Sequence, residues 1–187
     1  MLWVTEVDGT CSFLSRGWYE FTGQSKEEGQ GFGWIEAIHS DDRPAAKNAF
    51  LVANGQKKEF SLEHRILHAD GSYRWVIDTG RPRFSAAGDF LGFVGNVLDI
   101  SDRKQAEQAL DATQSTLSAV FAALPVGVAV FDQDAKLLLS NQEMHQYLPT
   151  NVLPSMDEAP HGRWQAVHAD GSPYSRQDFP GARALRG

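Results

Sequence analysis

FSLEHRILHADGSYRWVIDT, residues 60–79, is the stretch on which the fold turns. From Phe60 the pattern has a period of two: Phe60, Leu62, His64 and Ile66 share one face of a strand, and Ser61, Glu63 and Arg65 share the other. Asp70-Gly71 then supplies two residues that tolerate positive φ, and the β-rich YRWVIDT beyond them returns as a second strand. This is a long hairpin with one apolar face, so it needs more sheet and some helix to cover it.

Working outward, the chain supplies both. Trp3–Val7 and Thr10–Leu14 flank Asp8-Gly9 as an opening hairpin. Ser25-Lys-Glu-Glu28 has capping-box spacing for a short helix. Ser40 or Asp41 is placed to cap another from about Arg43 to Val52, with Pro44 tolerated in its first turn. On the far side, Ala87-Gly88-Asp89 marks a turn before a final strand, FLGFVGNVLDI. The order is two strands, short helices, three strands, which is an α+β pattern.

Past Asp99 the signal becomes helical. SDRKQAEQALDATQSTLSAVFAAL contains no Gly or Pro and places Ala106, Leu110, Thr113, Leu117, Val120 and Leu124 at alternating spacings of four and three. The seam fits a parallel dimer coiled coil, or a helix packed on its own domain. Pro125 ends it, and VGVAVFDQDAKLLLSNQEM reads again as strand, turn, strand and helix start. The remainder carries Pro149, Pro154, Pro160, Pro173 and Pro180, a second HADGS at His168–Ser172, and Asp178 as a cap for a last short helix, FPGARALRG.

Composition narrows the function. A formal net charge of −7 without a Lys/Arg-rich block argues against nucleic acid or anionic lipid as the main partner. The one cysteine, Cys11, excludes an intrachain disulfide and points to a reducing, cytoplasmic setting. The longest apolar run, Ala119–Phe131, is interrupted by Pro125 and Gly127 and falls short of the roughly 18–20 residues of a membrane span. MLWVTEVDG has no basic region ahead of its apolar residues, so it does not read as a signal peptide.

Several motifs resemble one family. WVTEVDGTCSFLSRGWYEFTG resembles the opening hairpin and first helix of a PAS domain of the PAC-containing type, and IHSDDR resembles its "HPDDR" helix start. EHRILHADGSYRWV resembles its central hairpin, and GFVGNVLDISDRKQAEQAL its closing strand and "DIT-x-R-K-x-A-E" junction. Residues from about 118 resemble the start of a second PAS domain, with a turn at Asp132-Gln-Asp134 and Asn141 opening a helical segment. GRWQAVHADGSPYSRQDFPGARALRG resembles a segment of second PAS domains in bacterial sensor histidine kinases.

The resemblance implies a PAS-like five-stranded antiparallel sheet with flanking short helices in residues 1–104, a connecting signalling helix in 105–124, and an incomplete, truncated second PAS-like unit in 125–187. It departs from the family at Pro44, which follows the two Asp instead of preceding them, and in lacking a helix before the first strand. The implied function is a sensory input module that binds a small ligand or partner and relays a conformational change through the connecting helix. The implied parent is a sensor histidine kinase, acting as a homodimer through that helix with a downstream kinase or other output domain. A ligand-free dimerisation or spacer module, and the input region of a cyclic-dinucleotide synthase or phosphodiesterase, stay open as alternatives.

The candidate site residues follow. Trp18, Phe21, Trp34, His64, Trp75 and Phe93 are placed to line a small-molecule cavity, or simply to pack a core. His64, mid-strand on an apolar face, is a ligand contact, a haem ligand or a buried histidine with its ring satisfied. In the family the residue equivalent to Asp99 couples the last strand to the outgoing helix; its alternative is a capping role shared with Ser101, with Arg103 and Lys104 as ion-pair partners.

No metal site is expected, since His64 and His68 stand about 13 Å apart along an extended strand. Cys11 follows a hairpin turn, not the helical motif of flavin-binding light sensors, so flavin is not expected; nor is haem, and the sequence requires no cofactor and names none. His145, in MHQYLPT, lacks the neighbours of a phosphoacceptor box, and no catalytic motif appears in the chain.

Overall fold

The computed structural model describes residues 1–134, 136–147, 167–178 and 183–184. The chain divides into two compact units, Met1–Leu110 and Asp111–Gly187.

The first unit is built on one antiparallel sheet. β1 (Leu2–Thr5) and β2 (Cys11–Leu14) form the opening hairpin, with Gly9 at φ 88° in its turn. Two short helices, α1 (Arg16–Thr22) and α2 (Lys26–Gly29), a 3-10 turn at Gly33–Ala37 and the longer α3 (Arg43–Gln56) follow. β3 (Phe60–Leu67), β4 (Tyr73–Phe84) and β5 (Phe90–Asp99) complete the sheet in the order β2-β1-β5-β4-β3. All four pairings are antiparallel, as the sequence pattern requires. β5 passes through Ile100 alone before α4 (Ser101–Ala123) begins, so strand and helix are joined without a loop.

Local chemistry explains most boundaries. The capping box at Ser25 forms as expected: its hydroxyl accepts from the Glu28 amide and the Glu28 carboxylate accepts from the Ser25 amide. α3 differs from expectation at both ends. Neither Ser40 nor Asp41 caps it; Asp42 holds the N-cap position without a side-chain cap bond, because its carboxylate is engaged by Arg65 of β3. At the other end the helix runs past Val52 to Gln56, where Lys57 adopts φ 54° and donates its amide to Ala53 and Asn54.

One row across the sheet sets the core. Leu14, Trp3, Gly95, Gly80 and Phe60 stand side by side on β2, β1, β5, β4 and β3. A Cβ at Gly95 would lie 2.2 Å from the Trp3 ring, and one at Gly80 would lie 2.7 Å from it. The two glycines therefore let the indole lie flat across two strands and reach Phe60, with ring centroids 6.0 Å apart. Phe50 of α3 and Phe93 of β5 close over this stack at right-angled or tilted contacts typical of aromatic cores.

The second unit repeats the opening pattern. β6 (Ala129–Phe131) pairs antiparallel with β7 (Leu137–Ser140), and α5 (Gln142–Tyr147) follows. Asn141, buried, organises the three: its Oδ1 accepts from the amides of Val128 and Met144, and its Nδ2 donates to the carbonyls of Val126 and Phe121. The two HADGS turns are chemically alike. In each the Asp carboxylate accepts from the Ser amide and hydroxyl, and Gly71 and Gly171 sit at φ 85° and 84°. The first joins strands of 8 and 12 residues; the second closes only an isolated bridge between Val167 and Pro173. The expected last helix, FPGARALRG, lies largely outside the described residues, as does the segment around Pro149, Pro154 and Pro160.

Candidate functional site: an aromatic cavity and a strand–helix joint

Two features of the first unit stand apart from plain packing. One is a cavity on the inner face of the sheet, lined by the rings of Trp3, Trp18, Trp34, Phe50 and Phe60 and by the polar groups of Thr5, Cys11, His64 and Asp78. Its volume is about 30 Å³. On the same measure one water needs roughly 10–15 Å³, so there is room for about two water-sized groups.

The polar lining is unusual. His64 is 3% exposed and its Nδ1 has no hydrogen-bond partner. Burial pushes its imidazole down to about 4, so it is neutral at physiological pH. Asp78 lies two residues along β4 from Val76, which is His64's partner in register. Its Oδ1 accepts from the Trp3 indole N–H at 2.8 Å. Desolvation pushes this carboxyl up to about 7, against the lowering effects of the indole bond and the Met1 amino group. Burial likewise raises the Cys11 thiol.

Of the six residues expected to line a cavity, Trp18, Trp34 and His64 do so. Phe21, Trp75 and Phe93 do not. Phe21 packs edge-on against the His68 ring at the hairpin turn, 4.9 Å between centroids. Phe93 points inward but is fully enclosed by Phe50, Phe60 and Phe90, where it fills the core. Trp75 has the opposite parity to the inward Val76 and stands on the outer face, covered by Arg65 and Lys104, whose charged groups lie 5.7 and 5.3 Å from the ring. Asp78 escaped the sequence reading although it shares the parity of Val76, because a carboxylate on an apolar strand face is ordinarily read as a strand end.

The second feature is the joint between sheet and α4. The Trp75 amide donates to the Ser101 hydroxyl at 3.1 Å and the Trp75 carbonyl accepts from the Ile100 amide at 2.9 Å. Asp99 Oδ1 accepts from the Ser101 amide at 2.8 Å, an Asx turn that sets the helix start. From the first turn of α4, Arg103 and Lys104 both reach the Glu63 carboxylate of β3, the Lys104 contact being 2.6 Å. Those two cations hold Glu63 below the usual carboxylate range. The structure thus brings Asp99, Ser101, Arg103 and Lys104 together and adds Glu63 and the Trp75 backbone, a pairing of residues about 40 apart in sequence that spacing alone does not reveal. His145 lies on α5, its Nε2 3.0 Å from the Ser140 hydroxyl. No group of three or more His, Cys, Asp or Glu placed to hold a metal occurs among the described residues, and no described helix is long and apolar enough to cross a membrane.

An antiparallel sheet in this strand order, cupping short helices over a small cavity and running its last strand into an exit helix, defines a fold class. Residues 12–97 match the family described as the PAS fold, and the first unit has that fold. Residues of the chain are 46% identical over 108 positions to the uncharacterized protein y4lL of Sinorhizobium fredii; that stretch is 58% of this chain and 13% of the relative. Among solved structures, the N-terminal domain of a diguanylate cyclase with PAS/PAC sensor from Marinobacter aquaeolei superposes with a TM-score of 0.50 at 18% identity, over 55% of this chain and 96% of that one. An RNA-binding light-oxygen-voltage receptor superposes with a TM-score of 0.53 at 20% identity, over 61% of this chain and 33% of that one. These two likenesses establish the fold.

Proposed function

We propose that the first unit is the sensory input module of a signalling protein, responding to a small ligand or partner and passing the response to α4. The observation that carries this reading is the joint. The start of α4 is tied to β4 through Trp75 and Ser101 and to β3 through Glu63, Arg103 and Lys104. A ligand that binds one arrangement of these strands better than another shifts the helix by the difference in affinity. Residues 1–104 are then the sensor, 105–124 the connecting helix and 125–187 part of a second PAS-like unit. The parent protein is a cytoplasmic sensor histidine kinase on the sequence resemblance, or a cyclic-dinucleotide enzyme of the kind named for the Marinobacter relative. Leu110, Leu117 and Val120 stand exposed along α4, and a second copy of the chain is the partner such a stripe suits.

A second reading is favoured by the size of the cavity. With room for only about two water-sized groups, the domain also works as a ligand-free spacer that dimerises and holds output domains in register.

Amide hydrogen exchange tests the relay. Asp99→Ala and Ser101→Ala each remove one tie of the joint, and each is expected to speed exchange at residues 102–105 by roughly three- to tenfold, as loss of about 1 kcal/mol implies. Amides of β4 and β5 should keep their protection. Unchanged exchange in the first turn of α4 refutes the joint as a coupling element.

A further inference from the structure

We infer that the aromatic cavity is a binding site for a small organic ammonium cation, of which methylammonium is the simplest form. The inference rests on the reading of the first unit as a ligand sensor and names the chemistry of the ligand.

Three observations converge. First, the walls are π faces and edges: Trp3 and Trp34 each meet the Phe50 ring edge-on, at centroid distances of 6.4 and 5.8 Å. A cation over such faces is attracted by the ring quadrupole, most strongly where water is excluded. Second, Asp78 is the carboxylate of the lining, and no Lys or Arg lines the cavity to neutralise it. Asp78 is half-buried and desolvated, and the Met1 amino group offsets only part of that cost, so the carboxylate gains from a proton or from a further cation. Third, His64 Nδ1 is enclosed and unpartnered. A neutral imidazole offers one ring nitrogen as an acceptor, which suits a ligand carrying N–H donors. An ammonium with a single methyl group has two heavy atoms, matching the available volume.

A neutral polar guest of the same size satisfies His64 but brings no charge to offset Asp78. An anion is repelled by Asp78 and finds no cation in the lining. The titratable groups facing the site from the packed elements are the Cys11 thiol on β2, His64 on β3 and Asp78 on β4, with the Met1 amino group close enough to act on Asp78. Proton and organic cation therefore compete for Asp78, and cation binding strengthens as the carboxyl ionises.

The test uses the full chain titrated with methylammonium chloride, with sodium chloride at equal ionic strength and methanol as the neutral match. The readouts are the Trp3 indole N–H resonance and the midpoint of thermal unfolding. The expected result is a saturable shift and a raised midpoint with methylammonium only, with affinity falling about tenfold per pH unit well below pH 7. Asp78→Asn, which keeps an acceptor for the Trp3 indole, is expected to abolish the response; the pH profile of the parent chain tests the same point should the variant fold poorly. Equal binding of methanol, pH-independent binding, or no saturable shift at any pH overturns the inference. Hydrogen exchange at residues 101–105 separates it from the relay reading. Cation binding with no change there leaves the site standing and removes the relay. A change there on addition of methanol, without cation binding, does the reverse.

Discussion

Asp78 and His64 give the first unit a concealed pH balance. Asp78 is pushed up to about 7 in the fold from an ordinary value near 3.8, so between these limits the native state holds more protons than the unfolded chain. Its contribution to stability therefore falls as pH rises through that window. His64 is pushed down to about 4 from 6.5, so the native state holds fewer protons there, and its contribution rises with pH between 4 and 6.5. The two slopes oppose each other over most of the same range. We expect the parent chain to show a nearly flat stability from pH 4.5 to 6.5. Asp78→Asn leaves the His64 slope alone, so its stability should climb with pH by up to about 1.4 kcal/mol per unit. His64→Asn leaves the Asp78 slope, with the opposite sign. Urea titrations at half-unit steps read this directly, and parallel profiles for the three proteins would show that the two groups are not perturbed in opposite senses. Asp42, held down at about 2 by the Arg65 guanidinium, adds a separate loss of stability that begins only below pH 4.

At the scale of elements, that same Asp42–Arg65 contact fixes how α3 enters the domain. The Asp42 carboxylate accepts from the Arg65 amide at 3.0 Å and from two guanidinium nitrogens at 2.8 Å, which ties the helix start to the free edge of β3. Asp42→Ala removes all three bonds from a half-buried site and is expected to lower stability by about 1–2 kcal/mol. Ser40→Ala, at the residue that sequence spacing offers as a cap, should stay within about 0.5 kcal/mol. Denaturation midpoints of the two variants decide between the roles, and equal losses would return the cap to Ser40. The case shows which parts of the fold are legible in the sequence. Hairpins at Asp8-Gly9, Asp70-Gly71 and Ala87-Gly88 are encoded by adjacent residues, so they are read correctly, as is the capping box at Ser25. The partner of Asp42 lies 23 residues away, and nothing local distinguishes it from Asp41. The cavity is harder still. It depends on Trp3 lying across Gly95 and Gly80, three residues on three strands whose register only the assembled sheet defines. Half of the candidate lining therefore came from composition and parity, while Cys11 and Asp78 needed the sheet.

At the scale of the whole molecule, the unresolved demand is the apolar stripe on α4. Leu110 and Leu117 are 58% and 64% exposed and stand seven residues apart, so they recur on one face of the helix. Burying one such side chain contributes roughly 1.5–3 kcal/mol, so leaving a row of them in water forgoes a gain that a second copy of the helix supplies. The seam is short. Ala106 and Thr113 occupy two of its positions, and a helix of 23 residues spans only about 35 Å. Association through it is therefore expected to be reversible, with half-dissociation at roughly 1–100 µM, about 5–8 kcal/mol. Leu110→Glu combined with Leu117→Glu places like charges across the seam and should leave the chain monomeric at every accessible concentration, while the unfolding midpoint of the first unit stays within a few degrees. Sedimentation equilibrium over that range separates the outcomes. A parent chain that is monomeric throughout refutes pairing through α4, and a double variant that still dimerises moves the interface to another surface.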